Sequence, residues 1–284
     1  PSWLPWTVLA LFLADVARHR LRRKGSPIPS ERQRLMRALW SMARPQNIPL
    51  SILLVLAGAC GSSGLTWLHT ASWQLLLCVV ITVMVTTSSC MVNDYFDFLS
   101  STDTAESQGK RPLVLGDVAP GEVKTALKWI YFVLLIAICL VKTPALRIYV
   151  LLNAVLSYIY TKSLKPRGFV WKNGCVALII CLAIGLGAVA VQPDAPGALV
   201  RGLSAVWPAM AVTFCGIFAR EIIMDITDLE GDEAVGVKTL PVVAGPGVAL
   251  TAAQVLVLLI FALQVAVPLV RGNYCRATAL WLAG

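Results

Sequence analysis

The sequence predicts an all-α, polytopic membrane protein. Of its 284 residues 57% are hydrophobic, and its mean hydropathy is +0.75. Apolar runs of about 20 residues, the length that a helix needs to cross a bilayer, recur along the chain. Water-soluble domains are rarely so apolar. We therefore expect an integral, multi-pass helical bundle with its core in lipid, in an organelle that the sequence does not specify.

The first 44 residues are predicted to form a basic arm ahead of a membrane domain at 45–284. The short apolar segment 3–14 leads into a basic stretch that ends at Lys24, which fits either a targeting remnant or a short anchor. Apolar residues then recur at helical spacing among arginines between positions 30 and 42, which predicts an interfacial amphipathic helix. Its apolar residues are Leu35, Leu39 and Met42.

Seven membrane spans are predicted after the arm. Their approximate ranges are 48–67, 73–92, 126–143, 145–161, 169–191, 203–223 and 247–269. An eighth begins near Thr278 and stops at Gly284. Because the chain also starts at Pro1 rather than at Met, we expect it to be a fragment.

The basic residues test this topology. With seven spans, the arm and the loops after spans two, four and six share one side, which holds 19 of the 24 Lys and Arg residues. Such asymmetry is typical of membrane proteins. The net charge of +9 is thereby explained without a nucleic-acid partner. Most of the eight cysteines lie inside apolar runs and are interpreted as packing residues.

Acidic residues are concentrated at two places. Ten of the 15 lie in two short windows, four between positions 94 and 106 and six between 221 and 233. Each window follows a long apolar run, where a carboxylate is costly and usually marks function. The predicted topology puts both windows on one side of the membrane, so they can meet.

The spacing within each window favours a metal site. Asn93 and Asp97 are four residues apart on the predicted helix and face one cavity. In the second window, four carboxylates spaced by four, three and four residues form a single stripe along one helix face, if the helix continues that far. They belong to Glu221, Asp225, Asp228 and Asp232. Stacked carboxylates repel each other, and oxygen ligands without His or Cys suit Mg²⁺, which bridges carboxylates to substrate phosphates.

Basic residues lie close to both windows. Lys110 and Arg111 follow the first, and Lys238 follows the second. The loop after span four, on the same side, carries Lys162, Lys165 and Arg167. Magnesium together with Lys and Arg is what binding a diphosphate requires, because the metal neutralises its charge while the side chains contact its oxygens.

Three stretches together resemble the UbiA superfamily of intramembrane prenyltransferases. They are NDYFDFLSSTDT (93–104), YTKSLKP (160–166) and DITDLEGDEAVGVKTLP (225–241). The resemblance extends from about Arg44 to the end of span seven. It implies nine transmembrane helices around a lateral cavity, of which about seven to eight are covered here. It also implies an isoprenyl diphosphate held by two Mg²⁺ ions between the motifs, and a hydrophobic acceptor.

The resemblance gives each residue an expected role. Magnesium is expected to be held by Asn93, Asp97, Asp103, Asp225, Asp228 and Asp232. The catalytic set is expected to be Asp94, Asp97, Asp228, Asp232 and Tyr160, with the Tyr160 ring steadying a carbocation. The diphosphate is expected to contact Lys110, Arg111, Lys162 and Lys165.

Alternatives remain open for the acceptor and for the type of reaction. Asp103-Thr104 is similar to the branch that makes naphthoquinones, whereas Lys-Arg-Pro-Leu (110–113) and Gly116 are similar to branches acting on homogentisate, chlorophyllide or glyceryl phosphate lipids. We predict an aromatic quinone precursor as the acceptor. A terpene cyclase acting on the prenyl diphosphate alone is one alternative, and a membrane cation transporter is another.

Overall fold

The computed structural model describes residues 31–64, 73–100, 111–192 and 196–270. Four sequence predictions lie outside these ranges: the arm before residue 31, Asp103, Lys110 and the eighth span. Within them the regular structure is helical throughout, as predicted. The ten α-helices are α1 (Glu31–Met42), α2 (Ile48–Ser63), α3 (Trp73–Leu99), α4 (Pro120–Leu140), α5 (Pro144–Ile159), α6 (Phe169–Ala190), α7 (Ala198–Thr227), α8 (Leu229–Val235), α9 (Leu240–Ala244) and α10 (Pro246–Val270).

Six helical segments of the described chain are long and apolar enough to cross a membrane, and they make the protein an integral, multi-pass one. They are Pro45–Ser63, Trp73–Leu99, Pro120–Leu140, Phe169–Ala190, Ala198–Thr227 and Pro246–Val267. The remaining predicted span, 145–161, corresponds to α5, which has 16 residues and continues into a π-helical turn at Tyr160–Leu164. A 3₁₀ turn, Lys165–Arg167, then leads to α6.

The helix ends at both acidic windows are defined by the structure. The second span was expected at 73–92 with Asn93 and Asp97 on the helix that continues from it, and α3 runs on to Leu99. The single stripe expected in the second window is interrupted, because α7 ends at Thr227 and α8 starts at Leu229. The Thr227 hydroxyl bonds back to the Met224 carbonyl at 2.7 Å, and such back-bonding competes with the helix ladder.

Helix α6 lies at the centre of the bundle and touches α2 backbone to backbone. A Cβ atom added at Gly58 of α2 would lie 1.8 Å from the Ile184 carbonyl oxygen, and one added at Gly187 of α6 would lie 1.8 Å from the Val55 carbonyl oxygen. Small residues permit this approach in membrane bundles. The packing fixes α6 against α2 near the end of α6 opposite to Lys172 and Asn173.

Helix α1 confirms the predicted helix between the arm and the first span. Its apolar row, however, faces the protein rather than lipid. Ala38 and Met42 are buried, with Leu35 and Leu39 packed beside them, against the end of α3 and the loop at 111–118. The row that suggested an interfacial helix is therefore a core contact, and it ties α1 to the first acidic motif.

Candidate active site at one end of the bundle

The first acidic motif lies on the last turns of α3. No Gly or Pro interrupts this helix between Trp73 and Leu99, so Asn93 and Asp97 stack one turn apart, as the spacing predicted. Asp94 and Asp97 are buried, at 5% and 7% exposure. Buried carboxylates need partners, and each of these has several.

Asp97 and Asn93 together hold a lysine. The Lys165 ammonium donates to Asp97 Oδ1 at 2.5 Å and to Asn93 Oδ1 at 3.0 Å. The Asn93 amide donates to the other Asp97 oxygen at 2.8 Å. This is a pocket of amide and carboxylate oxygens that already accommodates a cation. It brings together two predicted metal ligands and one predicted diphosphate ligand.

Asp94 holds two arginines on a single oxygen. Arg44 Nη2 donates to Asp94 Oδ1 at 2.8 Å, and Arg111 Nη1 donates to the same atom at 2.9 Å. Arg111 also lies 3.6 Å from Asp97 Oδ2. Arg44 adopts the left-handed backbone conformation, with φ of 49°, the only non-glycine to do so among the described residues. Such strain persists where the surroundings enforce it.

In the second motif, Asp225 is the buried centre. It is 2% exposed, and its Oδ1 accepts from the Lys172 ammonium at 2.5 Å. Its Oδ2 accepts from the Asn173 amide at 2.9 Å. Asn173 is fully buried, and its own Oδ1 has no hydrogen-bond partner in the described structure. Asp225 is thus already paired on both oxygens within the protein.

Asp228 and Asp232 are more open. Asp228 is exposed at the break between α7 and α8. Asp232 lies half-buried on α8, and its Oδ2 is a buried oxygen without a hydrogen-bond partner in the described part of the chain. Burial raises the pKa of Asp232, and this outweighs the lowering by the nearby Lys172 ammonium and by the Thr239 hydroxyl. An unpaired buried carboxylate oxygen is chemically suited to a metal ion.

Tyr160 is 8% exposed, in the π-helical turn after α5. The short segment that follows it contacts both acidic motifs, because Lys165 binds Asp97 and Lys172 binds Asp225. Both motifs therefore lie at the same end of the bundle. The Phe169 amide also donates to the Lys238 carbonyl at 3.1 Å, which ties the start of α6 to the segment after Asp232.

Other predicted residues are not brought together. Lys162 is exposed and pairs with none of the described carboxylates. Nor do any three Asp, Glu, His or Cys side chains converge on one point within the ranges that the structure covers. The carboxylates form two half-sites, each held by Lys or Arg.

Sequence reasoning missed three residues of the site: Arg44, Lys172 and Asn173. Neither Lys172 nor Asn173 was given a role, although both lie near the start of the predicted span 169–191. A charged residue followed by an amide inside the first turns of a span is the signal that could have identified them. Arg44 carries no such signal, because its role depends on a left-handed backbone conformation.

Comparison with known proteins decides the family. The model of the UbiA prenyltransferase family matches residues 49–284.

The chain belongs to the UbiA prenyltransferase family.

Relatives within the UbiA family include two archaeal proteins named digeranylgeranylglyceryl phosphate synthase. The one from Methanopyrus kandleri is 31% identical over 234 residues, which cover 82% of this chain and 78% of the relative. The one from Natronomonas pharaonis is 33% identical over 214 residues, which cover 74% of this chain and 70% of the relative. Family membership confirms the predicted family and the predicted enzyme class, a prenyltransferase.

Solved structures of UbiA homologues share the fold. The apo homologue from Aeropyrum pernix K1 has a TM-score of 0.67 at 19% identity, covering 82% of each chain. A homologue from Archaeoglobus fulgidus, described as bound to DMAPP and Mg²⁺, has a TM-score of 0.59 at 18% identity and covers 88% of this chain and 85% of its own. These likenesses confirm the predicted helical membrane architecture.

Proposed function

We propose that this UbiA-family protein transfers a prenyl group from a prenyl diphosphate to a hydroxyl of a glyceryl phosphate lipid, with Mg²⁺ as its cofactor. The observation that carries the proposal is that the segment 165–173 contacts both acidic motifs, since Lys165 binds Asp97 and Lys172 binds Asp225. A diphosphate between them would reach Asn93 and Asp97 on one side and Asp228 and Asp232 on the other. The Archaeoglobus fulgidus homologue, which is described as bound to DMAPP and Mg²⁺, supports this proposal.

The residues present suit magnesium. Their donors are carboxylate and amide oxygens, the ligands that Mg²⁺ prefers. The Asn93–Asp97 pocket already surrounds an ammonium group, and Asp232 offers a buried, unpaired oxygen. When bound, magnesium would neutralise the diphosphate and make it a better leaving group. Asp103, also predicted as a ligand, lies outside the described residues and remains a prediction.

The cations that now hold the carboxylates are placed to bind the diphosphate. Arg111 Nη1 lies 2.9 Å from Asp94 Oδ1, and Lys165 Nζ lies 2.5 Å from Asp97 Oδ1. A diphosphate that enters there would meet both cations. Arg44 shares Asp94 with Arg111 and is added to the predicted set. Lys110 remains a prediction, and Lys162, being exposed, is expected to act at the entrance to the site.

Asp94 and Asp225 are proposed to act as positioning residues rather than as metal ligands. Asp94 orients two guanidinium groups, and Asp225 is engaged by Lys172 and Asn173. Both are buried in the bundle. This revises the sequence prediction, which counted Asp225 among the metal ligands.

Tyr160 and the apolar surroundings protect the reactive carbon. As the allylic carbon–oxygen bond lengthens, positive charge develops on the prenyl group, and an aromatic ring face stabilises such charge. Water would capture the cation, so a site within the bundle favours transfer over hydrolysis. The acceptor hydroxyl then forms the ether bond and loses its proton.

The acceptor follows from the relatives' names. A digeranylgeranylglyceryl phosphate carries two geranylgeranyl groups, so its synthase adds such a group to a glyceryl phosphate. Because the two relatives are 31% and 33% identical to this chain over most of its length, we propose the same class of acceptor here. The relatives do not support the predicted quinone precursor.

Product analysis tests this function. The protein in nanodiscs would receive geranylgeranyl diphosphate and Mg²⁺, either alone, with a geranylgeranylglyceryl phosphate, or with homogentisate. We expect a new ether product, seen by mass spectrometry, with the glyceryl phosphate only. Cyclic hydrocarbon or alcohol formed without any acceptor would instead show a terpene cyclase, and a prenylated aromatic would restore the quinone-type reading.

A further inference from the structure

The outward face of α1 is not used by the fold. The opposite face packs against α3, but Met36 and Trp40 point away from the bundle and are 62% and 61% exposed. They are four residues apart and so adjacent on the helix surface. A paired methionine and tryptophan this exposed mark a surface that contacts something apolar.

Two arginines flank this apolar pair. Because a helix turns by about 100° per residue, Arg32 and Arg37 lie roughly 60–80° to either side of the line through Met36 and Trp40. Both arginines are exposed. An apolar centre with basic flanks is the arrangement of helices that lie in the headgroup region, where apolar side chains reach the acyl chains and guanidinium groups remain at the phosphates.

The fold holds α1 beside two membrane-crossing helices. The first membrane-crossing segment begins at Pro45, immediately after α1. Arg34 clamps α1 to the loop before α4, since its Nε donates to Asp117 Oδ1 at 2.8 Å and its Nη2 to the Gly116 carbonyl at 2.9 Å. Because α4 crosses the membrane from Pro120, α1 lies across the ends of two spanning helices.

Charge complementarity selects the lipid. Of the 16 Lys and Arg residues that the structure describes, 13 belong to the side that carries α1. Among them Lys124 and Lys128 are exposed at the start of α4. The side richest in Lys and Arg faces the leaflet with anionic lipids, and basic clusters beside spanning helices bind their headgroups.

We propose that Arg32, Met36, Arg37 and Trp40 form a binding surface for anionic phospholipid. The contact also reaches the site, because Arg44 follows α1 directly and the Arg34 clamp holds the loop that contains Arg111. Both of these arginines lie on Asp94. Lipid bound at α1 therefore stabilises the arginine pair at the first motif.

Photocrosslinking identifies the occupant. A benzophenone amino acid at position 40 would be activated in nanodiscs of phosphatidylcholine alone or mixed with phosphatidylglycerol. We expect a phospholipid adduct by mass spectrometry, enriched in phosphatidylglycerol relative to the mixture supplied. An adduct with residues 1–30, an adduct with a second copy of the chain, or no adduct would each overturn the proposal.

Matched charge variants test the arginines without using activity. Arg32→Gln/Arg37→Gln removes two charges from α1, and Lys142→Gln/Arg201→Gln removes two exposed charges from the opposite end of the bundle. We expect the first pair to shift the phosphatidylglycerol fraction that gives half-maximal thermal stabilisation upward by about tenfold. The second pair should leave it unchanged. An unshifted midpoint in the α1 variant would refute the lipid surface.

Discussion

The Lys172 ammonium lies 2.5 Å from Oδ1 of Asp225, inside the bundle and one residue before an asparagine that binds the other oxygen of the same carboxylate. The two side chains are 17% and 3% exposed. Removing one charge from such a pair leaves the other uncompensated, which is more costly than removing both. The pair therefore gives a prediction about stability as well as about the site.

Lys172→Met is expected to lower the free energy of unfolding by about 3 kcal/mol. Thermal unfolding in detergent measures this, and the Lys172→Met/Asp225→Asn double variant should recover part of the loss. The control is Asp117→Asn, which removes the partner of Arg34 from a pair whose side chains are 52% and 39% exposed. It should cost less than about 1 kcal/mol. Equal losses in both single variants would contradict the structural role of Lys172.

Asp232→Ala should abolish Mg²⁺-dependent turnover, by about a thousandfold or more in kcat, because it removes a proposed metal ligand on which leaving-group stabilisation depends. The protein should remain folded, since Asp232 is only half-buried. Glu230→Ala, on the same helix but exposed, is the matched control and should stay active. Turnover retained in Asp232→Ala would remove this residue from the metal site.

Asp97→Ala is expected to have the same effect from the other motif, since Asp97 is paired with Asn93 and Lys165. A titration of activity against Mg²⁺ separates a lost ligand from a lost fold. Partial rescue at high Mg²⁺ would still agree with a ligand role. Full activity at ordinary Mg²⁺ would show that the first motif does not hold the metal.

Tyr160 variants distinguish the ring from the hydroxyl. If the ring face stabilises the developing cation, Tyr160→Phe should retain most of the turnover, while Tyr160→Leu should lose about tenfold or more. The ratio of transferred product to hydrolysed prenyl alcohol is the readout, and it should fall in the leucine variant. Equal losses in both variants would show that the hydroxyl carries the role.

Two glycines should be intolerant of any side chain. Gly58→Ala and Gly187→Ala would each place a Cβ 1.8 Å from a carbonyl oxygen of the facing helix. The helices must then separate, so the unfolding temperature should fall sharply. Gly121→Ala, where nothing lies within 4 Å of the added Cβ, is the control. A stable Gly187→Ala protein would show that α2 and α6 are not in backbone contact.

Much of this architecture could be predicted from the sequence because hydropathy and charge report directly on a bilayer. Apolar runs located the spans, and the bias of Lys and Arg placed both acidic motifs on one side. Helix ends were less accessible. A membrane-crossing helix can continue beyond the hydrocarbon region, as α3 does to Leu99, so hydropathy does not mark its end.

The pairing of charges could not be predicted from spacing. Spacing put Asp225 and Asp232 on one stripe, yet Asp225 is buried against Lys172 and Asn173, while Asp232 lies on a separate helix. The break between the two helices lies at Asp228. Which cation reaches which carboxylate depends on tertiary packing, and one sequence does not show it.

A structure with Mg²⁺ and a non-hydrolysable prenyl thiodiphosphate tests the central claim most directly. We predict one diphosphate between the motifs, with metal ions about 2.1 Å from oxygens of Asn93 or Asp97 and of Asp228 or Asp232, and with Lys165 and Arg111 moved from the carboxylates onto the phosphates. A diphosphate bound by only one motif, or metal-free density held by the lysines and arginines alone, would contradict the account.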